Sequence, residues 1–251
     1  AHIGIAMGGR GTDVAREASS IVLLDDDFRS IVSAIRLGRR IYDNIRKAMG
    51  FIFAVHVPIA GLALLPLAFG LPIIFSPIHI AFLELAIDPV CTLVFEAESE
   101  EEDVMRRPPR PPSEPLFSWP LIFWSVLQGT LVLALTGAIF IYGLRRGMPA
   151  DEVRALTFAA LVFCVASLVL VNRSFSSSLV VAIRRPNPTL AWIFAAVAVI
   201  LLLALLEPSV RSLFRFGPLH RDAIGLMLAA AAATLIVLEF AKTIWRDRLR
   251  F

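Results

Sequence analysis

The chain has 251 residues, of which 57% are hydrophobic and 18% charged, and its mean hydropathy is +0.76, well above the roughly 45–50% apolar share of a soluble domain. A net charge of +3 offers no basic surface for nucleic acid, and the two cysteines, Cys91 and Cys164, sit inside apolar runs where they suggest neither a disulfide framework nor a zinc site. What remains is a membrane protein in which only the first residues, up to about position 48, read as soluble.

The chain opens AHIGIAMGG, with no initiator Met, no basic leader and no cleavage site, so its start reads as cut from something larger. The runs HIGIAMG and SSIVLLDD flank TDVAREA, which predicts strand, helix, strand, as in a parallel sheet buried on both faces. Thr12 or Asp13 is placed to cap the helix and Glu17 to extend it. Gly8-Gly9-Arg10-Gly11 lacks the spacing of a phosphate-cradling loop and reads as a strand-to-helix turn.

From Phe28 the period becomes helical. Ile31, Ile35, Tyr42, Ile45, Met49 and Ile52 share a stripe, while Arg36, Arg39, Arg40, Asp43 and Arg46 take other faces. No proline intervenes before Pro58, so a helix of roughly 33 Å over positions 28–50 enters the membrane without a break. Six apolar runs long enough to span a bilayer follow, near 50–70, 73–97, 119–143, 155–172, 189–206 and 222–241. Between the second and third lies ESEEEDVMRRPPRPPSEP, a proline-stiffened inner loop. Its acid run, Glu100 to Asp103, reads as a solvated face. Gln128, Asn172, Glu207 and Glu239 are the main polar groups of the last four spans, and Glu239 with Lys242 forms an i,i+3 pair near an inner boundary.

If the N-terminus is cytoplasmic, the inner segments hold fifteen Lys and Arg and the outer ones six, the other three of the 24 lying in the soluble start. That bias predicts both termini inside.

The second span contains FLELAIDPVCTLVFEAE. A carboxylate at such depth costs at least ~2.5 kcal/mol and ordinarily serves a partner or an ion path. Glu84 and Asp88 are four apart and share a helix face. Pro89 has no N–H and releases the Leu85 carbonyl; Pro58 does the same for Ala54. With His56, these groups are candidates for a cation site built from interrupted helices. They supply fewer than the six to eight oxygens of a calcium shell. A structural ion pair, a capped kink and a packed histidine are the plainer reading of the same residues.

Residues 4–48, GIAMGGRGTDVAREASSIVLLDDDFRSIVSAIRLGRRIYDNIRKA, resemble the end of the phosphorylation domain and the stalk of P-type cation-transporting ATPases. GTDVA, the EA pair, VLLDD-x-F-x-x-I and GR-x-IY-x-NI-x-K occur together and in order, and VMRRPPR resembles an inner loop of the calcium-pump-like and sodium-pump-like branches. The resemblance implies a mainly α membrane protein: a small α/β remnant of a HAD-like (Rossmann-like) phosphorylation domain over 1–30, a stalk helix over 31–49 and a six-helix bundle over 50–251. It implies the transport part of an ATP-driven pump that cycles through an aspartyl-phosphate and pulls on the stalk to open and close an ion site; on that reading Arg40, Tyr42, Pro58 and Pro89 are the candidate coupling residues, and the cation site is the set already read from the residues, Glu84, Asp88, His56, Leu85 and Ala54. ATP and Mg2+ serve the complete pump, and none is expected on this chain, which lacks the DKTGT and GDGxNDxPAL motifs; no catalytic residue is assigned and alone it should not hydrolyse ATP. The partners implied are the transported cation, the bilayer of a bacterial plasma membrane and the missing N-terminal part of the pump.

The membrane residues depart from the calcium-pump pattern. His56 and Ile59 stand where the pattern has Asn and Glu, and Glu84-Leu85-Ala86-Ile87-Asp88 replaces N-L-V-T-D. The carboxylate count is kept by moving one. Calcium or a similar cation is favoured, a proton pump of the same family is the alternative, and a stand-alone six-span channel or structural protein is the reading outside the pumps.

Overall fold

The computed structural model describes residues 3–111, 115–174 and 185–249, without the side chains of 221 and 246–249. Strand β1 (Ile5–Met7), helix α1 (Asp13–Ala18) and strand β2 (Ile21–Leu23) form the expected unit, the strands parallel with Ile5 opposite Ile21 and Met7 opposite Leu23. Thr12 is the cap, accepting from Ala15 N at 3.2 Å. The glycine turn is held by a protein carboxylate: Gly9 N and Arg10 N donate to the two oxygens of Asp26 at 2.9 and 3.0 Å. A side chain at Gly11 would put its Cβ 2.1 Å from the Met7 carbonyl oxygen, so that position demands glycine. Ile5, Val14, Ile21 and Leu24 are exposed, and this sheet buries little apolar surface by itself.

Helix α2 runs unbroken from Arg29 to Phe69, 41 residues or about 61 Å at 1.5 Å per residue. Pro58 and Pro66 lie inside it, both buried, and neighbouring helices support the weakened ladder. It stops where Gly70 takes the left-handed conformation (φ 63°) and donates to the Pro66 carbonyl, a glycine C-cap. Helix α3 (Pro77–Pro89) passes into a π turn at Val90–Val94, then α4 (Trp119–Arg145), α5 (Ala150–Asn172), α6 (Pro188–Leu206), the short α7 (Pro208–Leu213) and α8 (Arg221–Leu249) complete the chain. The α7 helix has no counterpart in the apolar periodicity.

Six of these helices are long and apolar enough to cross a membrane. α5 is the hub, its apolar window 83% buried against 17% for α6, and it packs on α2, α4, α6 and α8. At the α2–α4–α5 crossing, Asn172 Nδ2 donates to Gln128 Oε1 at 2.7 Å and Gln128 Nε2 to Asn172 Oδ1 at 3.3 Å. This fully buried amide pair sits beside Gly50, whose Cβ would fall 3.6 Å from both Asn172 Oδ1 and Ser125 Oγ. Interhelical hydrogen bonds of this kind add about 0.6–2 kcal/mol in a bilayer.

Close approach of α2 and α4 depends on Gly129: a Cβ there would lie 2.4 Å from the Ala54 carbonyl oxygen. Backbone cannot swing aside as a side chain can. Gly129→Ala should therefore cost about 1–3 kcal/mol by overpacking, seen as a lowered midpoint of thermal unfolding in detergent; an unchanged midpoint would show that the two helices are free to separate.

Candidate functional site

Helix α3 presents two contrasting faces. Phe82, Leu83, Ile87 and Val90 are buried against the bundle, whereas Glu84, Leu85, Asp88 and Thr92 are exposed along the other side. The i,i+4 spacing thus brings the carboxylates to one face, and Cys91 lies within the field of both. Pro89 removes the regular donor to Leu85, and the ladder then shifts register, with Phe95 N donating to the Val90 carbonyl at 3.2 Å as in a π turn. The Thr92 hydroxyl donates to the Asp88 carbonyl at 2.8 Å. Backbone polarity is therefore concentrated just where the carboxylates stand.

The α2 candidates separate. His56 is exposed, and its Nδ1 lies 2.8 Å from the Ile52 carbonyl oxygen; with the proton on Nδ1, Nε2 is left as an acceptor. Ala54 is fully buried and its carbonyl meets Gly129 of α4, so the oxygen released by Pro58 serves helix packing. Of the two proline-released carbonyls, only that of Leu85 stays beside the carboxylates. Among the described residues no three His, Cys, Asp or Glu side chains are gathered closely enough to hold a metal ion.

Both ends of α3 are fixed. At its start, Arg154 of α5 reaches the Ile73 carbonyl at 3.1 Å and the Arg215 carbonyl at 2.8 Å. At its end stands an ionic knot that the sequence reading does not anticipate. Glu98 (1% exposed) receives Arg173 (3% exposed) through two bonds of 2.9 and 3.1 Å, and Asn187 Nδ2 donates to Glu98 Oε2 and to the Val94 carbonyl, each at 3.1 Å. The Glu98 carbonyl accepts from Arg40 Nε and Asn44 Nδ2 of α2, both at 2.9 Å.

The acid run is accordingly solvated only in part. Glu101 is buried 2.8 Å from Lys47, whose own side chain is fully buried, and it takes the Ser174 hydroxyl at 2.8 Å. Glu102 is the exposed member. Charge spacing along one strand of sequence does not reveal this, because the partners lie about fifty to ninety positions away on α2, at the end of α5 and before α6.

Arg107 pairs with Asp43. Burial works against its charge, but the Asp43 carboxylate, with Asp103 and Glu101 beyond, outweighs that and holds the guanidinium above its ordinary value. Tyr42 accepts from Arg110 Nη1 at 3.1 Å, with the guanidinium 4.5 Å above its ring. Arg40 and Tyr42 are thus among the contacts, with Arg39, Asp43, Asn44 and Lys47, by which the long helix grips the inner loop. Lys242 and Glu239 lie 3.7 Å apart, and Lys242 Nζ also donates to the Val171 carbonyl at 3.3 Å.

Residues 72–244 match the family of cation transporting ATPases, C-terminus. The chain belongs to this family, the P-type cation-transporting ATPases. It is 37% identical over 203 residues to a calcium-transporting ATPase of Bacillus subtilis, which covers 81% of this chain and 23% of that protein. It is 39% identical over 132 residues to calcium-transporting ATPase 1 of Lactococcus lactis, 53% of this chain and 15% of that one. A third, calcium-transporting ATPase 1 of Yarrowia lipolytica, is 28% identical over 237 residues, 94% of this chain and 26% of the relative. The chain thus spans 15–26% of the length of these relatives and is similar to their C-terminal part. Membership, with six spanning-length helices, makes it an integral membrane protein.

Removing Arg173 would strand the Glu98 carboxylate in the interior. Arg173→Ala should lose about 3–5 kcal/mol, while replacing both residues by leucine should cost less than either single change. Thermal unfolding of the purified protein reads the difference, and an Arg173→Ala variant as stable as the parent would show the pair to be solvated.

Proposed function

We propose that this chain is the transport part of an ATP-driven P-type cation pump, in which Glu84 and Asp88 bind the transported cation. The observation that carries the reading is the pair of carboxylates on one exposed face of an otherwise apolar spanning helix, beside a proline and a π turn, with both ends of that helix fixed. Charge is tolerated at membrane depth where it meets an ion. The Leu85 carbonyl adds an oxygen, and His56 on α2 offers Nε2. Further ligands belong to the rest of the longer protein, since calcium takes six to eight oxygens. The names of the relatives favour calcium.

Residues 1–30 are then the end of the phosphorylation domain, 31–49 the stalk and 50–251 the membrane domain. In the complete pump ATP supplies the phosphoryl group and Mg2+ balances its charge. The phosphorylation motif DKTGT is not among these residues, so the role of this chain is to receive the motion at Arg40, Tyr42 and Asp43 and hand it to α3 through the Glu98 knot. The setting is a bacterial plasma membrane with both termini cytoplasmic.

A proton pump is the second reading, supported by the exposed imidazole of His56 where the calcium-pump pattern has an amide. The two readings part on one measurement. In the complete pump, calcium at constant pH should stimulate phosphoenzyme formation from ATP. Asp88→Asn should raise the calcium concentration for half-maximal phosphorylation about tenfold or more, roughly 1.4 kcal/mol, with Glu84→Gln the milder change, and both variants should fold. Phosphorylation indifferent to calcium but steeply dependent on pH supports protons instead; unchanged ion dependence in both variants removes the site.

Orientation is tested separately. A cysteine replacing the exposed Ala150 should react with a membrane-impermeant thiol reagent in intact cells, and one replacing the exposed Glu102 should react only after permeabilisation. Labelling of position 102 from outside would invert the topology.

A further inference from the structure

His79 is the one fully buried histidine among the described residues (0% exposed), five positions before Glu84 and nine before Asp88. Its ring lies within a cage of Phe75, Phe158, Phe214 and Phe216, with centroids 5.1 Å from Phe158 and Phe216 and 5.5 Å from Phe214. Aromatic packing accounts for the ring but not for the nitrogens, because phenylalanine would fill such a cage without burying two polar atoms.

Nδ1 has a separate task. Ser76 N–H donates to His79 Nδ1 at 3.0 Å, the Ser76 hydroxyl lies 2.7 Å from the same atom, and His79 N donates back to the Ser76 carbonyl at 3.0 Å. This is a reciprocal helix start with histidine in the third helical position, where Glu or Gln ordinarily closes the box. An Nδ1 that accepts places the ring proton on Nε2. The imidazole thus holds the first turn of α3 by an acceptor and pins that turn to α5 and the α7–α8 connection by its ring.

Position along the helix gives this cap its consequence. The far end of the straight part of α3 is Pro89 and the π turn, where the regular ladder is interrupted. The rotational setting of the straight segment carrying Glu84 and Asp88 is therefore held at the Ser76–His79 end as well as by the Glu98 knot beyond the π turn. We infer that His79 is a positioning residue for the cation site: through Nδ1 it fixes the first turn of α3 and hence the direction in which the two carboxylates face. The inference rests on the pump reading above and adds a residue at the opposite end of the helix from the inner loop.

Two substitutions separate the ring from the acceptor. His79→Phe keeps an aromatic body in the cage and removes the acceptor. His79→Gln keeps an acceptor at the third helical position and removes the ring. The complete pump is reconstituted and its phosphoenzyme measured from ATP against calcium concentration, alongside phosphoenzyme from inorganic phosphate without calcium and the thermal midpoint. His79→Phe should hold its thermal midpoint and its phosphate-derived phosphoenzyme but need about five- to tenfold more calcium, the scale of one lost hydrogen-bond partner. His79→Gln should stay within about twofold of the parent in calcium dependence even where its midpoint falls.

Parent-like calcium dependence in His79→Phe overturns the inference, as does a His79→Gln variant that is folded, by phosphoenzyme from phosphate, yet loses as much calcium affinity as His79→Phe. Failure of the calcium-pump reading looks different, since the parent itself would then show no calcium-stimulated phosphoenzyme.

Discussion

The burial of Glu98 is the constraint on which the arrangement rests. A carboxylate 1% exposed is tolerable only if its charge and its lone pairs are all met, and the groups that meet it come from the end of α5 and the start of α6. Its own carbonyl is taken by Arg40 and Asn44 of α2. Four separated pieces of chain thus meet at one residue shortly after the π turn that ends α3. None can shift alone without leaving a buried charge or a buried carbonyl unmet. The long helix and the acid-bearing helix are joined here by polar bonds, and by the Phe51–Phe95 ring contact, centroids 5.7 Å apart, just inside it.

A joint of this kind differs from ordinary helix packing in how it carries load. Apolar contacts in a bilayer are exchangeable with lipid and slide at little cost. A bidentate Arg–carboxylate pair has a fixed geometry and resists rotation. The α2 segment before the apolar run and the end of α3 are therefore joined with fixed geometry at the Glu98 knot, while the amide pair Gln128–Asn172 and the close contact at Gly129 hold α4 and α5 against α2.

Much of the architecture was legible because it is written at short range. The stripe from Ile31 to Ile52 specifies one helix, Thr12-Asp13 marks a cap, and the length of each apolar run specifies a span. Features that depend on distant partners were not legible. Glu101 reads as solvated until Lys47 is known to face it, and no local pattern reports a partner about fifty positions away. The α7 helix, six residues long, is too short for a period to show. His79 was overlooked for a different reason: Ser76-Pro77-Ile78-His79 has the spacing of a capping box, but histidine is not the residue that ordinarily signals one. The face shared by Glu84 and Asp88 was readable from their spacing alone, since four residues is little more than one turn.

Pro58 and Pro89 show where such spacing stops being informative. Each removes a donor from its helix and releases one carbonyl four residues earlier, and at the level of sequence the two are equivalent. In the fold they are not. The Ala54 carbonyl is covered by Gly129, so close packing by a residue without a side chain takes up the oxygen and α2 continues to Phe69. After Pro89 there is no such cover: the ladder changes to a π turn, Thr92 turns its hydroxyl to the Asp88 carbonyl, and Glu84, Leu85 and Asp88 remain on the exposed side. The first proline is absorbed by the bundle, whereas the second keeps polar backbone beside two carboxylates. What separates the two prolines in the fold is therefore whether a glycine from another helix lies across the carbonyl each releases.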